Sequence, residues 1–174
     1  MRFLVASDSH GRVSSLLEMV RRAHTKRFPA DGIIFLGDGL SDLAYLRDEG
    51  LPLFFVRGNC DGLMIDAPTE EILTFEGHRI FYTHGHHYSV KSGTDSLVSV
   101  AAERGADIVL YGHTHVPKEC YYAPGDTVGA TVLNKPLYLM NPGSIREGYG
   151  DDTAGFGVLE ITESTVLWSR VAFI

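Results

Sequence analysis

The sequence predicts an α/β protein in which two packed mixed β-sheets are flanked by helices. In its first third, short apolar runs alternate with segments of helical periodicity, in the order β-α-β-α-β. This order is typical of a parallel sheet with right-handed crossovers. After residue 70 the pattern changes mainly to short strands. An alternating part followed by a strand-rich part indicates two sheets packed together, with the helices outside.

The first third contains three predicted strands and two predicted helices. Its apolar runs predict buried strands over residues 2–7, 32–38 and 51–59. Apolar residues recur at helical spacing over residues 13–27, which predicts an amphipathic helix. Residues 41–50 predict a second, short helix, with Ser41 as a candidate N-cap and Gly50 as its end.

The rest of the chain is predicted to be mostly strands. Residues 70–85 contain two alternating runs around Glu76-Gly77, which predicts a hairpin, and residues 94–105 predict a third helix with Thr94 as its cap. The remaining strands are predicted over residues 106–115, 118–123, 130–134, 135–140, 155–162 and 165–174, with turns at 134–135 and 163–164. We expect residues 1–174 to form a single domain, because the sequence contains no repeat or linker.

The composition narrows the class of protein. A hydrophobic content of 44% and a charged content of 21% are those of a soluble globular protein. The net charge of −7 argues against long nucleic acids and membrane surfaces as partners, but a locally positive pocket is compatible with it. Two cysteines, Cys60 and Cys120, are too few for a disulfide framework and predict a cytoplasmic location.

Polar side chains with metal-binding capacity follow most of the predicted strands. They are Asp8, His10, Asp38, Asn59, His84, His113 and His115. Because the carboxyl ends of parallel strands lie along one edge of a sheet, where ligands bind, we expect these side chains to converge. His113 and His115 are alternate residues of an extended segment, which places both imidazoles on one face.

Each of these residues also has an ordinary structural role open to it. Asp8 and Asp38 could cap helices, Asn59 could be a turn residue, and His84 could be a hydrogen-bonded core histidine. The coincidence of seven such residues at strand ends favours a metal site instead. Three further histidines lie near the predicted site in the sequence. His78 is interpreted as a hairpin turn residue, and either His86 or His87 could line the pocket, with at least one of them solvated.

These residues form a string of motifs along the chain, in the order Asp8-x-His10, Gly37-Asp38, Gly58-Asn59-x-Asp61, His84 and Gly112-His113-x-His115. This string resembles the calcineurin-like metallophosphoesterase superfamily, and the similarity runs from residue 8 to about residue 144. The small size and the Gly-Asn-Cys-Asp sequence resemble its short prokaryotic branch, the YfcE-like phosphodiesterases. The resemblance implies an α/β/β/α sandwich that hydrolyses phosphodiesters, and also monoesters, of a small substrate.

The resemblance also implies a dinuclear metal site. Asp8, His10, Asp38 and His115 would hold one divalent ion, and Asp38, Asn59, His84 and His113 the other. Asp38 would bridge the two ions. Mixed oxygen and imidazole ligands suit Mn²⁺ as the first choice, with Ni²⁺, Co²⁺, Fe or Zn²⁺ as alternatives. A hydroxide shared by the two ions would attack phosphorus in line, so that no serine or cysteine nucleophile is needed.

Cys60 departs from the pattern of many relatives. Phosphoprotein phosphatases have a histidine at this position, which is thought to help the leaving group depart and which is oriented by the following carboxylate. Here the carboxylate is present as Asp61, but the ring is replaced by a thiol. We expect Cys60 to be a small buried apolar residue outside the chemistry.

A non-catalytic scaffold is the main alternative function. One retromer subunit keeps this fold as a protein-interaction platform, and metal content distinguishes the two possibilities. A Rossmann-type binder is disfavoured, because no Gly-x-Gly-x-x-Gly follows the first strand. A homo-oligomer is a further expectation.

Overall fold

The computed structural model describes residues 1–62, 66–146 and 153–173. Within them, twelve strands occur, which are β1 (Arg2–Ala6), β2 (Gly32–Phe35), β3 (Leu53–Phe55), β4 (Glu70–Phe75), β5 (His78–Thr83), β6 (Ile108–Tyr111), β7 (Lys118–Tyr122), β8 (Thr127–Val128), β9 (Thr131–Val132), β10 (Leu137–Asn141), β11 (Gly155–Thr162) and β12 (Thr165–Ala172). The α-helices are α1 (Val13–Ala23) and α2 (Asp95–Glu103), and two 3₁₀ helices span Leu40–Glu49 and His86–Tyr88.

The first sheet has the strand order β12-β11-β1-β2-β3. Strands β1, β2 and β3 are parallel, as the alternating pattern predicts, and Val5 lies opposite Ile34 in their register. Strands β11 and β12 come from the end of the chain and extend this sheet in antiparallel fashion on the other side of β1. The sheet is therefore mixed, and its three parallel strands end at the same edge.

The second sheet has the order β4-β5-β6-β10-β7. Its central strands β5, β6 and β10 are parallel, while β4 and β7 are antiparallel edge strands. The predicted hairpin around Glu76-Gly77 is confirmed as the β4–β5 turn. Both turn residues have positive φ, 51° and 79°, which is the geometry of a type I′ turn and favours glycine at the second position.

Three apolar clusters define the layers. One lies between the two sheets and joins Phe3 and Ile34 of the first sheet to Ile108 of the second. Another packs α1 and the longer 3₁₀ helix on the outer face of the first sheet, and the third packs α2 on the outer face of the second. The α/β/β/α sandwich of two mixed sheets is thus confirmed. None of the helices in the described part of the chain is both long and apolar enough to cross a membrane.

Several predicted boundaries were wrong. Helix α1 ends at Ala23 rather than at residue 27, because His24 is extended and its Nδ1 accepts a hydrogen bond from the N–H of Ala30 at 3.0 Å. The predicted strand over residues 51–59 is only β3, and the chain beyond it forms a loop. The predicted strand over 130–134 shortens to β9, which pairs with β8 in a separate two-stranded sheet. Residue 174, the predicted end of the last strand, lies outside the described residues.

The second predicted helix is a 3₁₀ helix that begins at Leu40, so Ser41 is not its N-cap. The N-cap residue is Gly39, which has no side chain to accept hydrogen bonds from the first N–H groups of the helix. A carboxylate distant in sequence accepts them instead, as described below. Gly50 ends this helix in the left-handed conformation, as predicted. His78 is not in the turn but is the first residue of β5, and its Nε2 lies 3.0 Å from the carbonyl oxygen of Thr162.

Candidate metal centre

The seven polar residues predicted from the strand ends lie together at one edge of the sandwich. Asp8, His10, Asp38 and Asn59 follow β1, β2 and β3 of the first sheet, whereas His84, His113 and His115 follow β5 and β6 of the second. The carboxyl ends of the parallel strands in both sheets therefore meet at the same place. The candidate site is built from the two layers jointly.

The backbone at this edge is held in an unusual conformation. Five of the seven residues have positive φ: Asp8 at 57°, His10 at 42°, Asp38 at 60°, His113 at 68° and His115 at 62°. The left-handed region is uncommon for residues other than glycine and costs of order 1 kcal/mol or more at each position. Such strain persists only where the surrounding structure holds it, and it is concentrated at functional sites.

The first group of side chains forms around the buried carboxylate of Asp8. Its Oδ1 lies 3.1 Å from Nε2 of His115 and 3.8 Å from Nε2 of His10. Ligand atoms of these three residues all lie within 4.8 Å of one another, close enough to bind one ion. The second oxygen of Asp8, Oδ2, accepts a hydrogen bond from the N–H of His113 at 3.1 Å, which fixes the carboxylate.

The second group forms around Nε2 of His84, which is fully buried. This nitrogen lies 3.3 Å from Oδ2 of Asp38, 3.1 Å from Oδ1 of Asn59 and 3.2 Å from Nδ1 of His113. With this nitrogen, they make four potential ligand atoms that lie close together. Two of them are oxygens and two are imidazole nitrogens, a donor set that suits a divalent transition metal.

A backbone contact fixes the orientation of His84. Its Nδ1 lies 2.7 Å from the carbonyl oxygen of Leu36, so a proton on Nδ1 would be donated to that oxygen and Nε2 would keep its lone pair. Burial lowers the pKa of His84, but the hydrogen bond and charge of Asp38, together with the charge of Asp8, outweigh it and raise the pKa. The two buried carboxylates therefore favour the protonated form of His84 more than its burial disfavours it.

Asp38 lies between the two groups. Its Oδ2 is 3.9 Å from Nε2 of His10 and 3.3 Å from Nε2 of His84. Its Oδ1 accepts a hydrogen bond from the N–H of Cys60 at 2.6 Å. Although burial raises the pKa of Asp38, the contacts with His84 and Cys60 hold it far below its usual range. Asp38 is thus an anion placed within reach of both sets of ligand atoms.

Asp61 supports this arrangement in a way that the sequence did not reveal. Its buried carboxylate accepts four backbone hydrogen bonds, from the N–H groups of Asp38 (2.7 Å), Gly39 (2.8 Å), Leu40 (2.8 Å) and Gly58 (2.9 Å). It therefore caps the 3₁₀ helix and ties the loop after β3 to the loop after β2. The motif Gly58-Asn59-x-Asp61 carries the signal for this role, but comparison with phosphoprotein phosphatases predicts only that Asp61 would orient a histidine ring.

Glycines allow the two loops to touch. A Cβ on Gly58 would lie 2.1 Å from Oδ1 of Asp38, and a Cβ on Gly37 would lie 2.6 Å from the backbone nitrogen of Gly58. No side chain fits at either position. Glycine is thus required at both positions because the two loops approach each other closely. This requirement is separate from the ligand residue that follows each glycine.

Two polar residues complete the frame: Asn141, the last residue of β10, and Ser144, which follows it. The hydroxyl of Ser144 donates to the carbonyl oxygen of Asp8 at 3.0 Å, and Nδ2 of Asn141 donates to the carbonyl oxygen of Gly112 at 3.1 Å. Both residues are buried. The sequence predicts only a strand over residues 135–140 here, with no role for the polar residues that follow it. The structure shows that it holds the loops that carry Asp8 and His113.

Cys60 is exposed, so the expectation of a buried apolar residue was wrong. The loop after β3 turns the residue outward while its N–H binds Asp38. Its Sγ nevertheless falls in a cluster with ligand atoms of His10 and Asp38, all within 4.8 Å of one another. Desolvation and the neighbouring carboxylate of Asp38 raise the pKa of the thiol to about 11, so the group is neutral at pH 7.

His86 and His87 differ in their surroundings. His87 is exposed, whereas His86 is partly buried and its ring centroid lies 5.3 Å from that of His84. Burial, followed by the neighbouring histidines, lowers the pKa of His86 to about 4. Its Nδ1 is buried without a hydrogen-bond partner in the described part of the chain. Of the two residues, His86 is therefore the one that lines the site.

A family model described as the calcineurin-like phosphoesterase superfamily domain matches residues 1–164. The chain belongs to this superfamily. It is similar to the probable metallophosphoesterase YsnB of Bacillus subtilis strain 168, with 32% identity over 161 residues, which cover 92% of this chain and 85% of that protein. It is also similar to phosphodiesterase YfcE of Escherichia coli strain K12, with 26% identity over 186 residues, which cover 92% and 88% of the two chains.

A solved structure agrees with this membership. A protein of Streptococcus pneumoniae TIGR4, described as a predicted phosphoesterase, matches with a TM-score of 0.77 and 26% identity over 98% of this chain and 88% of its own. The resemblance inferred from the motifs, to the calcineurin-like superfamily and its YfcE-like members, is thus confirmed. Membership of this superfamily indicates a metal-binding hydrolase that acts on phosphoesters.

Proposed function

We propose that this protein hydrolyses phosphodiesters of small molecules at a centre of two divalent metal ions. The observation that carries the proposal is the position of Asp38 between two groups of ligand atoms. Asp8, His10 and His115 would hold one ion with Asp38, and Asn59, His84 and His113 would hold the other. A bridging ligand needs two available coordination positions, which a carboxylate has and an imidazole lacks.

The donor chemistry supports two divalent ions. Each group combines carboxylate or amide oxygens with two imidazole nitrogens, and no thiolate is required. This set fits Mn²⁺ first and Ni²⁺, Co²⁺, Fe or Zn²⁺ as alternatives. Two divalent ions against the carboxylates of Asp8 and Asp38 would leave a net positive pocket, although the whole chain has a formal charge of −7. Such a pocket attracts a phosphate.

When bound, the two ions would supply a hydroxide at neutral pH, which attacks phosphorus in line, and would stabilise the charge on the phosphate oxygens. The residues of the chain would position these components. Asp38 would set the spacing of the two ions, and the contact with Leu36 would aim Nε2 of His84. Cys60 takes no part as a nucleophile, because its thiol is neutral at pH 7.

Departure of the leaving group limits the range of substrates. The position that holds a histidine in phosphoprotein phosphatases is occupied by Cys60, a weak acid whose pKa is raised to about 11. General acid catalysis typically contributes about 100-fold or more. We therefore propose that aryl phosphodiesters, whose leaving groups depart without a proton, are hydrolysed far better than alkyl phosphates. Phosphomonoesters with good leaving groups are secondary substrates.

Hydrolysis of bis(4-nitrophenyl) phosphate by metal-stripped and metal-restored protein tests the proposal. We expect activity to disappear with a chelator and to return with Mn²⁺, Ni²⁺ or Co²⁺. Protein that binds metal but stays inactive with phosphodiesters and phosphomonoesters would instead support the alternative, a non-catalytic scaffold of the same fold. The complete set of seven ligand side chains favours the enzyme. A cytoplasmic location and a homo-oligomeric state stay predictions.

A further inference from the structure

A cavity opens directly beside the candidate metal centre. Its volume is about 670 Å³, which is within the range of small-molecule sites. One wall is the segment 90–94, which follows the short 3₁₀ helix after β5, and the other is the segment 113–118, between β6 and β7. His113 and His115 belong to this lining as well as to the candidate metal centre. A phosphate at the centre would therefore have its organic group at the mouth of this cavity.

The lining combines apolar surface with positive charge. Val90, Val116 and Pro117 supply the apolar part, and the buried Tyr111 also borders the cavity. Lys91 comes from one wall and Lys118 from the other. An apolar cavity with a few polar groups at fixed places is typical of a site that binds a specific small molecule.

Neither lysine forms an ion pair with a carboxylate in the part of the chain that the structure describes. Lys91 has no carboxylate within ion-pair distance there, and Nζ of Lys118 lies near a neutral partner, Oγ1 of Thr94, at 3.3 Å. The titratable lining groups are these lysines, His113, His115 and Tyr111, and no Asp or Glu is among the described residues that line the cavity. Two of the chain's four lysines thus face one small space in an acidic protein.

We propose that this cavity selects phosphoesters whose organic group carries a second anionic group, a carboxylate or a phosphate, which Lys91 and Lys118 bind. The inference rests on the proposed metal-dependent hydrolysis and adds the substrate class. The ammonium groups are compact charges that bind either anion, and the apolar lining contacts the carbon chain between the two anionic ends. A substrate with a neutral or cationic end would leave the lysines without a partner.

Calorimetric binding measurements with unreactive analogues test the proposed preference for a second anionic group. Alkylphosphonates of two to six carbons, each ending in a methyl, a carboxylate, a phosphonate or a trimethylammonium group, are titrated calorimetrically into Mn²⁺-loaded protein. At the best chain length, we expect the carboxylate or the second phosphonate to bind roughly 3- to 30-fold more tightly than the methyl group, as two partly exposed ion pairs would give. The trimethylammonium probe should bind more weakly than the methyl probe. The carboxylate and phosphonate series distinguish the two anions.

Variants of Lys91 and Lys118 test whether these two residues cause the preference for an anionic end. In the double variant Lys91→Gln and Lys118→Gln, the preference for the anionic end should fall below about twofold, while binding of the methyl probe stays within about twofold. Lys26→Gln is the matched control, because it removes the same charge from an exposed loop away from the cavity and should keep the preference. The same preference should appear in KM, with little change in kcat, for 4-nitrophenyl diesters with these ends.

The outcomes separate the two proposals. Equal binding of anionic and methyl probes, or a preference that survives in the double variant, would overturn the cavity inference and leave the metal-dependent hydrolysis intact. Failure of every phosphonate to bind in a metal-dependent way would overturn both.

Discussion

The backbone N–H of Asp38 donates a hydrogen bond to Oδ2 of Asp61 at 2.7 Å. The same oxygen accepts the N–H of Gly58, so one carboxylate connects the loops that carry Asp38 and Asn59. A hydrogen bond from a backbone N–H to a charged acceptor is stronger than one between neutral groups. The distance between the proposed bridging ligand and the loop after β3 is therefore set by a residue that touches neither metal group.

Replacing Asp61 by asparagine should destabilise the protein and weaken the metal centre. An amide has one acceptor oxygen, and its NH₂ group would face two of the four N–H donors. Two unpaired buried donors at about 1–3 kcal/mol each imply a loss of roughly 2–6 kcal/mol in the free energy of unfolding. Urea denaturation measures this loss, and Asp48→Asn, on the exposed face of the 3₁₀ helix, is the control. Equal stability of the two variants would show that Asp61 is not a structural link.

Loading with metal should stabilise the protein and give two ions per chain. Asp8 and Asp38 are two buried carboxylates in contact with four histidines, an arrangement that divalent ions would complete. At a free metal concentration of about 100 times the dissociation constant, the gain is about 2.7 kcal/mol for each ion. Elemental analysis and thermal denaturation with and without a chelator check the result. A single ion per chain at saturation would contradict the dinuclear proposal.

Asp38→Asn should cost more activity than Asp8→Asn. Asp38 would contact both ions, whereas Asp8 would contact one. We expect the rate on bis(4-nitrophenyl) phosphate to be at least roughly tenfold lower for Asp38→Asn than for Asp8→Asn, about 1.4 kcal/mol of activation free energy. Metal content should fall at both positions in the first variant and at one in the second. If both variants lose the same activity and the same amount of metal, the bridging assignment is wrong.

Cys60→Ala should retain most of the activity on an aryl phosphodiester. Cys60 is exposed and its thiol is neutral at pH 7, so it supplies neither a nucleophile nor an effective acid. Cys60→His would restore a ring at this position and should produce a selective gain on alkyl phosphates. Steady-state rates on matched aryl and alkyl diesters measure both effects. Loss of aryl diester hydrolysis in Cys60→Ala, with both ions still bound, would show that the thiol takes part in the chemistry.

The location of the site could be predicted because it depends on short-range features of the chain. Each parallel strand is an apolar run, each ends in a glycine or a tight loop, and the ligand follows directly, as at Asp38 after Gly37. The exposure of Cys60 could not be predicted, because it results from how the loop after β3 lies on Asp38. The four contacts of Asp61 could not be predicted either, because Leu40 and Gly58 come together only when β2 and β3 pair.

Both groups of ligand atoms take members from both sheets. Asp8 and His10 meet His115 from the opposite layer, and Asp38 meets His84 and His113. Bound ions would thus cross-link two layers that are otherwise held mainly by apolar packing. Local opening of the sandwich at this edge and release of the ions would then be a single cooperative event. Amide hydrogen exchange at the ends of β2 and β6 would slow together on metal binding, although these strands belong to different sheets.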